Sequence, residues 1–330
     1  MAIVILDEHL EPMRTIWLTL SFMAVCGSVS AQTYPSKPVR LIVPFPAGGP
    51  ADAVSRIMGP RLSETFGQQV VIDNRVGANG NTGAEFTAKA PPDGYTLMMV
   101  VSSFASNPAL YANLAFDPLK DFAPISLLTA APLILVVHPT LPVKSVRELV
   151  ALAKARPGEL NYAAAGNGAG GHLAMELFKG MAGINMVTIV YKGGAQAITD
   201  VIGGQVHLTV NNPLVVLPHV KSGRLRALAV TSAQRLPAAP ELPTIAEAGV
   251  PGFEASLWYG VVAPANTPAA LITRVNGELL KVLQHPDVRE RLALDGVRII
   301  GSTPEQFAEH LRIESAKWSK VIREARIRLE

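Results

Sequence analysis

"VPFPAGGPAD", residues 43–52, is the stretch on which the reading of the whole chain turns. An apolar run stops at a proline, an uncharged turn with two glycines follows, and a helix-like segment starts behind Asp52. Glycine lets a strand turn tightly into a helix at little steric cost. The same connection leaves the first N–H groups of the helix without partners, at the positive end of its dipole. The turn is therefore either simple punctuation or half of an anion site.

Around it, short β-branched runs alternate with amphipathic helical stretches, the pattern of an α/β protein. "VRLIVPF" reads as a strand, "ADAVSRIMGPRLSETFG" as a helix and "QVVIDNR" as the next strand, and the alternation continues to "RLRALAVTS". Two long, apolar, extended stretches break the rhythm: "PLKDFAPISLLTAAPLILVV" (118–137) and "PGFEASLWYGVVAPANTP" (251–268). The simplest topology has both crossing between two lobes, each a mostly parallel sheet flanked by helices. Residues 32–131 and 254–330 would form lobe 1 and residues 132–253 lobe 2, with the C-terminal helices packing on lobe 1. Such a clamp takes its ligand at the C-terminal ends of the strands.

Composition excludes several classes. Only 17% of the 330 residues are charged, against about 25% in an average soluble protein. The one dense basic segment, "KWSKVIREARIR", alternates in sign, as a solvated helix face does, and no nucleic-acid motif accompanies it. The seven histidines show no metal-ligand spacing, and no G-x-S-x-G elbow is present. No metal, cofactor or catalytic residue is expected, and the protein is read as a binding protein that works as a monomer. An exported α/β enzyme acting on an anionic substrate, and an exported sensor for a carboxylate, are the alternatives.

The first twelve residues include Asp7, Glu8 and Glu11, which do not suit a targeting segment. From Met13 the pattern is that of a secretory leader: Arg14, the apolar run "IWLTLSFMAVCG", then Val29, Ser30 and Ala31 before Gln32. The run is too short for a membrane span. Residues 1–31 are thus read as an extension plus signal peptide with its true start at Met13, and the mature protein as periplasmic. The single cysteine, Cys26, falls inside the leader behind Val25, a bulkier neighbour than a lipid-attachment site accepts. The mature chain then folds without disulfides.

"GNGAGG" sets Gly166, Gly168 and Gly171 in a G-x-G-x-x-G pattern between strand "LNYAAA" and helix "HLAMELF". A dinucleotide site would require an acidic residue about twenty positions on, where this chain has "VYKGG" with Lys192. What remains is a second glycine-led helix start, with almost no Lys or Arg beside either turn. Two such starts in facing lobes suggest a small anion gripped by backbone amides and hydroxyls.

At this level of detail the chain resembles the substrate receptors of tripartite tricarboxylate transporters, the Bug receptor family. The resemblance rests on "YPSKPVRLIVPFPAGGPAD", "VIDNRVGANGNTGAEFTAKAPPDGYTL", "LNYAAAGNGAGGHLAMELF", "VYKGGAQAITDVIGGQVHL" and the stretch from "GRLRALAVTS" to "PANTP", in that order. It implies the type II periplasmic binding protein fold and capture of a small carboxylate for delivery to a membrane permease. It also implies ligand contacts from Phe45, Ala47, Gly48, Gly49 and Asp52, from Ser102, Ser103 and Asn107, and from Gly166, Asn167, Ala169, Gly171, His172 and Asn211. The chain departs from the family pattern at Ala105, where a histidine is frequent, at Ala169, where a hydroxyl is, and at Asn211 and Asn212, where an acid is more usual. Asp52 could equally cap its helix, His172 suits the helix start better than ligand contact, and Trp258 and Tyr259 suit hinge packing more than cleft lining. The amides near Gly48, Gly49 and Gly171, with Ser103, are expected to carry the ligand's charge, and Lys192 to act only at longer range.

N-terminal sequencing of the exported protein is expected to begin at Gln32. An acylated Cys26 would instead make it a lipoprotein.

Overall fold

The computed structural model describes residues 34–294 and 296–329. The proposed leader, Met13 and Cys26 lie outside them. The first part of the chain forms β1 (Val39–Val43), α1 (Pro50–Phe66), β2 (Val70–Asn74), a single 3-10 turn (Ala78–Gly80), α2 (Asn81–Ala88), β3 (Thr96–Val101) and α3 (Ser103–Leu110). β4 (Phe122–Pro132) and β5 (Ile134–Val137) follow, then α4 (Val146–Ala155), β6 (Asn161–Ala164), α5 (Gly170–Ala182), β7 (Val187–Val190) and α6 (Gly194–Ile202). Next come β8 (Leu208–Asn211), α7 (Pro213–Lys221), β9 (Arg226–Val230) and β10 (Ser256–Pro264). α8 (Ala269–Gln284), α9 (Pro286–Leu294), β11 (Arg298–Ile299) and α10 (Pro304–Ala325) complete the chain.

The strands form two sheets, ordered β11-β4-β10-β3-β1-β2 and β7-β6-β8-β5-β9. The two-lobed α/β architecture is the one the alternating pattern implies. Each sheet is mixed rather than mostly parallel. The strands that feed helices directly, β1 to β3 in one sheet and β6 to β8 in the other, run parallel. β10 pairs antiparallel with β3 and β4, and β5 antiparallel with β8 and β9. These last strands carry the chain between lobes, so they enter each sheet against its direction.

Local sequence explains the element ends. β1 is a near-continuous apolar run because it lies inside its sheet, with Val39, Ile42 and Val43 fully buried. α1 opens with Pro50, whose missing N–H would be unbonded there in any case, and stops at Gly67 in the left-handed region (φ 64°). α10 begins with a reciprocal cap between Thr303 and Gln306.

The crossing segments are fastened at one point. Only Leu133 separates β4 from β5. Its N–H donates to Thr231 Oγ1 (2.9 Å), and Thr231 N–H donates back to its carbonyl (2.9 Å). Ala255 N–H then donates to the Thr231 carbonyl (2.9 Å), which ties the returning chain to the same residue.

α10 packs on both lobes. Phe307 and Leu311 join the first-lobe core with Ile42, Met98 and Trp258. Trp318, Val321 and Ile322 join the second-lobe core with Leu135, Tyr162 and Phe178. At about 1.5 Å per residue, a helix of 22 residues is long enough to reach from one core to the other. Between them Glu314, 5% exposed, accepts from Trp258 Nε1 (3.1 Å) and Trp318 Nε1 (2.8 Å) and pairs with Lys317. Trp258 is therefore a packing residue of the hinge, edge-on to Phe307.

Glu314→Leu is expected to leave two buried indole N–H groups without an acceptor and to cost about 2–5 kcal/mol. Glu314→Gln keeps one acceptor oxygen and should cost less. Urea unfolding followed by tryptophan fluorescence checks both.

Candidate functional site

The turn after β1 is organised by Asp52. At the third position of α1 its buried carboxylate reaches back over the helix start. Oδ2 accepts from Gly48 N–H (2.9 Å) and Arg56 Nε (2.7 Å), and Oδ1 from Asn74 Nδ2 (3.0 Å). Asn74 Nδ2 also donates to the Phe45 carbonyl (3.0 Å). The Arg56 hydrogen bond, helped by those from Gly48 and Asn74, outweighs burial and holds the carboxyl at about 2. Gly48 takes φ +79°, which explains its glycine, whereas Gly49 has φ −76°. Gly49 N–H donates to the Pro46 carbonyl (3.1 Å). Both amides expected to face a ligand are thus engaged inside the turn, because a third-position carboxylate and a nearby carbonyl reach them first. Ala47 is exposed, and Phe45 lies beside Gly80, where a Cβ would stand 3.4 Å from its ring.

A second group of residues sits at the C-terminal end of β3. Asn107, 2% exposed, donates through Nδ2 to the Asn79 carbonyl (3.1 Å) and Asn81 Oδ1 (2.5 Å), and its Oδ1 accepts from Asn79 Nδ2 (2.9 Å). It anchors α3 to the 3-10 turn with every side-chain atom in use. Ser103 Oγ donates to the same Asn79 carbonyl (3.4 Å). The amides of Ser103 and Phe104, at the start of α3, find no acceptor among the described residues.

In the second lobe His172 organises the glycine turn. Its Nδ1 accepts from Gly168 N–H (3.0 Å), and Ala169 N–H donates to the Gly166 carbonyl (3.2 Å). The ring is 4% exposed, and burial pushes its pKa below the usual value. With Nδ1 accepting, the proton sits on Nε2, 3.8 Å from Glu176 Oε1. That oxygen, too far from the ring for a hydrogen bond, accepts from Tyr162 Oη (2.6 Å), Lys179 Nζ (2.7 Å) and Thr188 Oγ1 (3.1 Å). His172 therefore shapes the turn from beneath. Gly168 takes φ +68°, and a Cβ there would meet Leu110 of α3 at 2.9 Å. Asn167 is exposed and donates to the Arg328 carbonyl (3.4 Å). The first-turn amides of α5, those of Gly170, Gly171 and His172, find no acceptor among the described residues.

The two lobes meet where α3 and α5 begin. Ser102 Oγ lies 3.6 Å from the position of a Cβ on Gly170. A cavity of about 10 Å³ there is lined by Ser102, Ser103 and Ser106 from one lobe and Gly170 and Leu173 from the other. That is about the space of one water molecule. Asn211 stands further along the second lobe, at the end of β8, beside Ala165 and Gly194. The structure thus joins Ser102 and Ser103 to the Gly170–Gly171 helix start, and gives Asp52, Asn107 and His172 supporting positions. Sequence reading missed Asn74, Asn79, Ser106 and Gly170. Asn74 and Asn79 carried a signal as polar residues at the end of an apolar strand in "VIDNRVGANG". Among the described residues no three His, Cys, Asp or Glu side chains gather as metal ligands, and no helix is long and apolar enough to cross a membrane.

A family model described as "Tripartite tricarboxylate transporter family receptor" matches residues 54–327. The chain belongs to that family. It is a solute-binding receptor and not an enzyme. Protein BugT of Bordetella pertussis is 38% identical to this receptor over 320 residues, covering 96% of this chain and 98% of that protein. The solved structure of R. palustris Rpa4515 with adipate shares 40% identity at a TM-score of 0.76, covering 90% of this chain and 100% of that one. MatC from Rhodopseudomonas palustris with bound malate shares 30% identity at a TM-score of 0.73, covering 88% and 100%. The periplasmic binding protein BugD shares 33% identity at a TM-score of 0.73, covering 90% and 100%.

Because the folded-state pKa of Asp52 is depressed to about 2, its stabilising effect is present above pH 4 and is lost as pH falls through 2. Asp52→Asn is expected to lower stability at pH 7 by on the order of 1–2 kcal/mol, with the difference vanishing in acid. Denaturant melts of both proteins across pH 2–7 check this. His172 is buried neutral, so its contribution is lost as pH falls below 6.5, and its imidazole NMR titration should fall below that of a free histidine.

Proposed function

We propose that this receptor captures a small carboxylate in the periplasm and delivers it as a monomer to the membrane permease of a tripartite tricarboxylate transporter. The observation that carries the reading is the meeting of two open helix N-termini, α3 with Ser102 and Ser103 and α5 with Gly170, across a small interlobe cavity. Open amides and the positive helix ends suit a carboxylate without any cationic side chain. The relatives solved with adipate and with malate support the same ligand class.

A cavity of about 10 Å³ admits a carboxylate only if the lobes part and close again. The division that moves is residues 32–131 with 254–330 against 132–253, turning about the Leu133–Thr231 clasp. Each charge-assisted hydrogen bond contributes roughly 1.5–3 kcal/mol. A few of them give micromolar binding, about −8 kcal/mol, after association costs. In this reading Phe45, Ala47 and the Gly48–Gly49 turn, which Asp52 holds through the Gly48 N–H, add contacts to the ligand from the first lobe.

Thermal-shift screening against a carboxylate panel should reveal the ligand, since binding to the native state alone raises Tm. With that ligand, Ser102→Ala combined with Ser103→Ala should weaken binding about tenfold or more, the equivalent of roughly 1.4 kcal/mol. Exposed Lys192 should tolerate alanine with a far smaller loss in titration calorimetry. Small-angle scattering should show compaction on saturation, and an unchanged radius would count against the clamp.

A further inference from the structure

The crossing strands have two flanks. In the first lobe the sheet order puts β3 on one side of the β10–β4 pair and β11 on the other. In the second lobe it puts β8 and β6 on one side of β5 and β9 on the other. The cavity at Ser102 and Gly170 lies between the lobes on the flank of β3 and β6. A second interlobe cavity, of about 150 Å³, lies on the flank of β11 and β9. Pro132 and Ser256 line it, and they are register partners in the crossing strands, next to Leu133 and Ala255 of the clasp. Ser256 lines the first cavity as well, so the two cavities share a crossing strand as a wall.

The walls of the second cavity define what fits. Ala293 and Val297 from the first lobe, and Leu236 and Ala238 from the loop after β9, give it apolar sides. Two cations reach it, and they differ. Arg235 is engaged, its Nε donating to Glu247 Oε2 (2.9 Å) and its Nη1 to the Pro240 carbonyl (3.2 Å). Arg298, exposed on edge strand β11, has no ion-pair partner among the described residues. No acid stands among the described residues that line the cavity. A cavity of this volume holds a benzene-sized ring. A guanidinium at its edge matches a carboxylate through two parallel hydrogen bonds.

We propose that this cavity is a second ligand site, taking a small carboxylate with a compact apolar ring, and that its occupant holds the lobes closed over the first site. The inference goes beyond carboxylate capture and rests on the hinged-clamp part of that reading. The first cavity is shut down to about 10 Å³ while the second stands at about 150 Å³. Rotation about the strands between them widens one flank as it narrows the other. A ring seated in the second cavity resists its narrowing, and so favours closure of the first. The linkage is reciprocal, each ligand raising the affinity for the other by the same factor.

The probe is benzoate, with acetate as the charge without the ring and benzyl alcohol as the ring without the charge. In titration calorimetry the wild type is expected to bind benzoate at least tenfold more tightly than either control. Arg298→Ala removes the charge and Ala293→Phe fills the space, and each should weaken benzoate at least tenfold. Ser102→Ala with Ser103→Ala should leave benzoate binding within about twofold. No benzoate binding to the wild type, undiminished binding in both folded cavity variants, or loss in the serine variant alone overturns the second site. The coupling is read separately, by electron spin resonance distances between labels on cysteines replacing Val76 and Val190. Both are exposed, beside β2 and β7, the edge strands of the first flank. Benzoate should shift the label separation to shorter values, and Arg298→Ala should abolish the shift. An unchanged separation overturns the coupling. If instead no member of a broad carboxylate panel binds at Ser102 and Ser103 while benzoate still binds, the capture reading falls and the second site stands.

Discussion

Two crossing chains held at Thr231 give this receptor its architecture. The hydrogen bonds linking Leu133, Thr231 and Ala255 are buried, short and made largely by backbone, so they resist shear between the crossing chains. Two sheets joined at such a point can rotate about it, while sliding would break the bonds. Glu314 adds a second fastening, since one carboxylate holds an indole from each core. The helix carrying it belongs to both lobes. Any relative movement of the lobes therefore has to be a small rotation that those two fastenings tolerate.

The contact between the lobes brings together helix starts rather than charged side chains. β3 and β6 deliver unbonded helix amides at their C-terminal ends, and each lobe places one such end toward the other. Positive helix ends without a fixed cation suit anions of varied length, because no single ion pair dictates where the charge must sit. The supporting residues keep the turns in shape: Asp52 and Asn74 for one, Asn79 and Asn107 for the second, His172 and Glu176 for the third. Each is buried or partly buried; Asp52, Asn74, Asn107 and His172 use a side chain to satisfy backbone that the turn would otherwise leave bare, while Asn79 and Glu176 bond neighbouring side chains.

Those roles account for the polar residues near the cleft. Asp52 resembles a ligand contact in sequence because it follows a glycine turn. In the fold it is the acceptor that holds the turn. His172 follows the same logic from the other lobe. Asn211 is the exception, since its Nδ2 has no hydrogen-bond partner among the described residues.

By itself the sequence determined the alternation of strands and helices, the two long crossing stretches and the glycine-led turns. Each follows from local constraints: β-branched runs, helical periodicity, and backbone that only glycine adopts readily, as at Gly48 and Gly168. The order of motifs was enough to indicate the receptor family. Tertiary structure alone decided which amides stay open. Whether Gly48 N–H faces a ligand depends on Asp52 Oδ2 standing 2.9 Å away, and nothing in the spacing distinguishes a carboxylate that caps from one that binds. The antiparallel entry of β5 and β10 and the straddling of both cores by α10 were equally illegible, because periodicity reports which face of an element is buried and not against what. The meeting of Ser102 with Gly170 joins residues far apart in the chain, and only the folding of two lobes about one clasp brings them together.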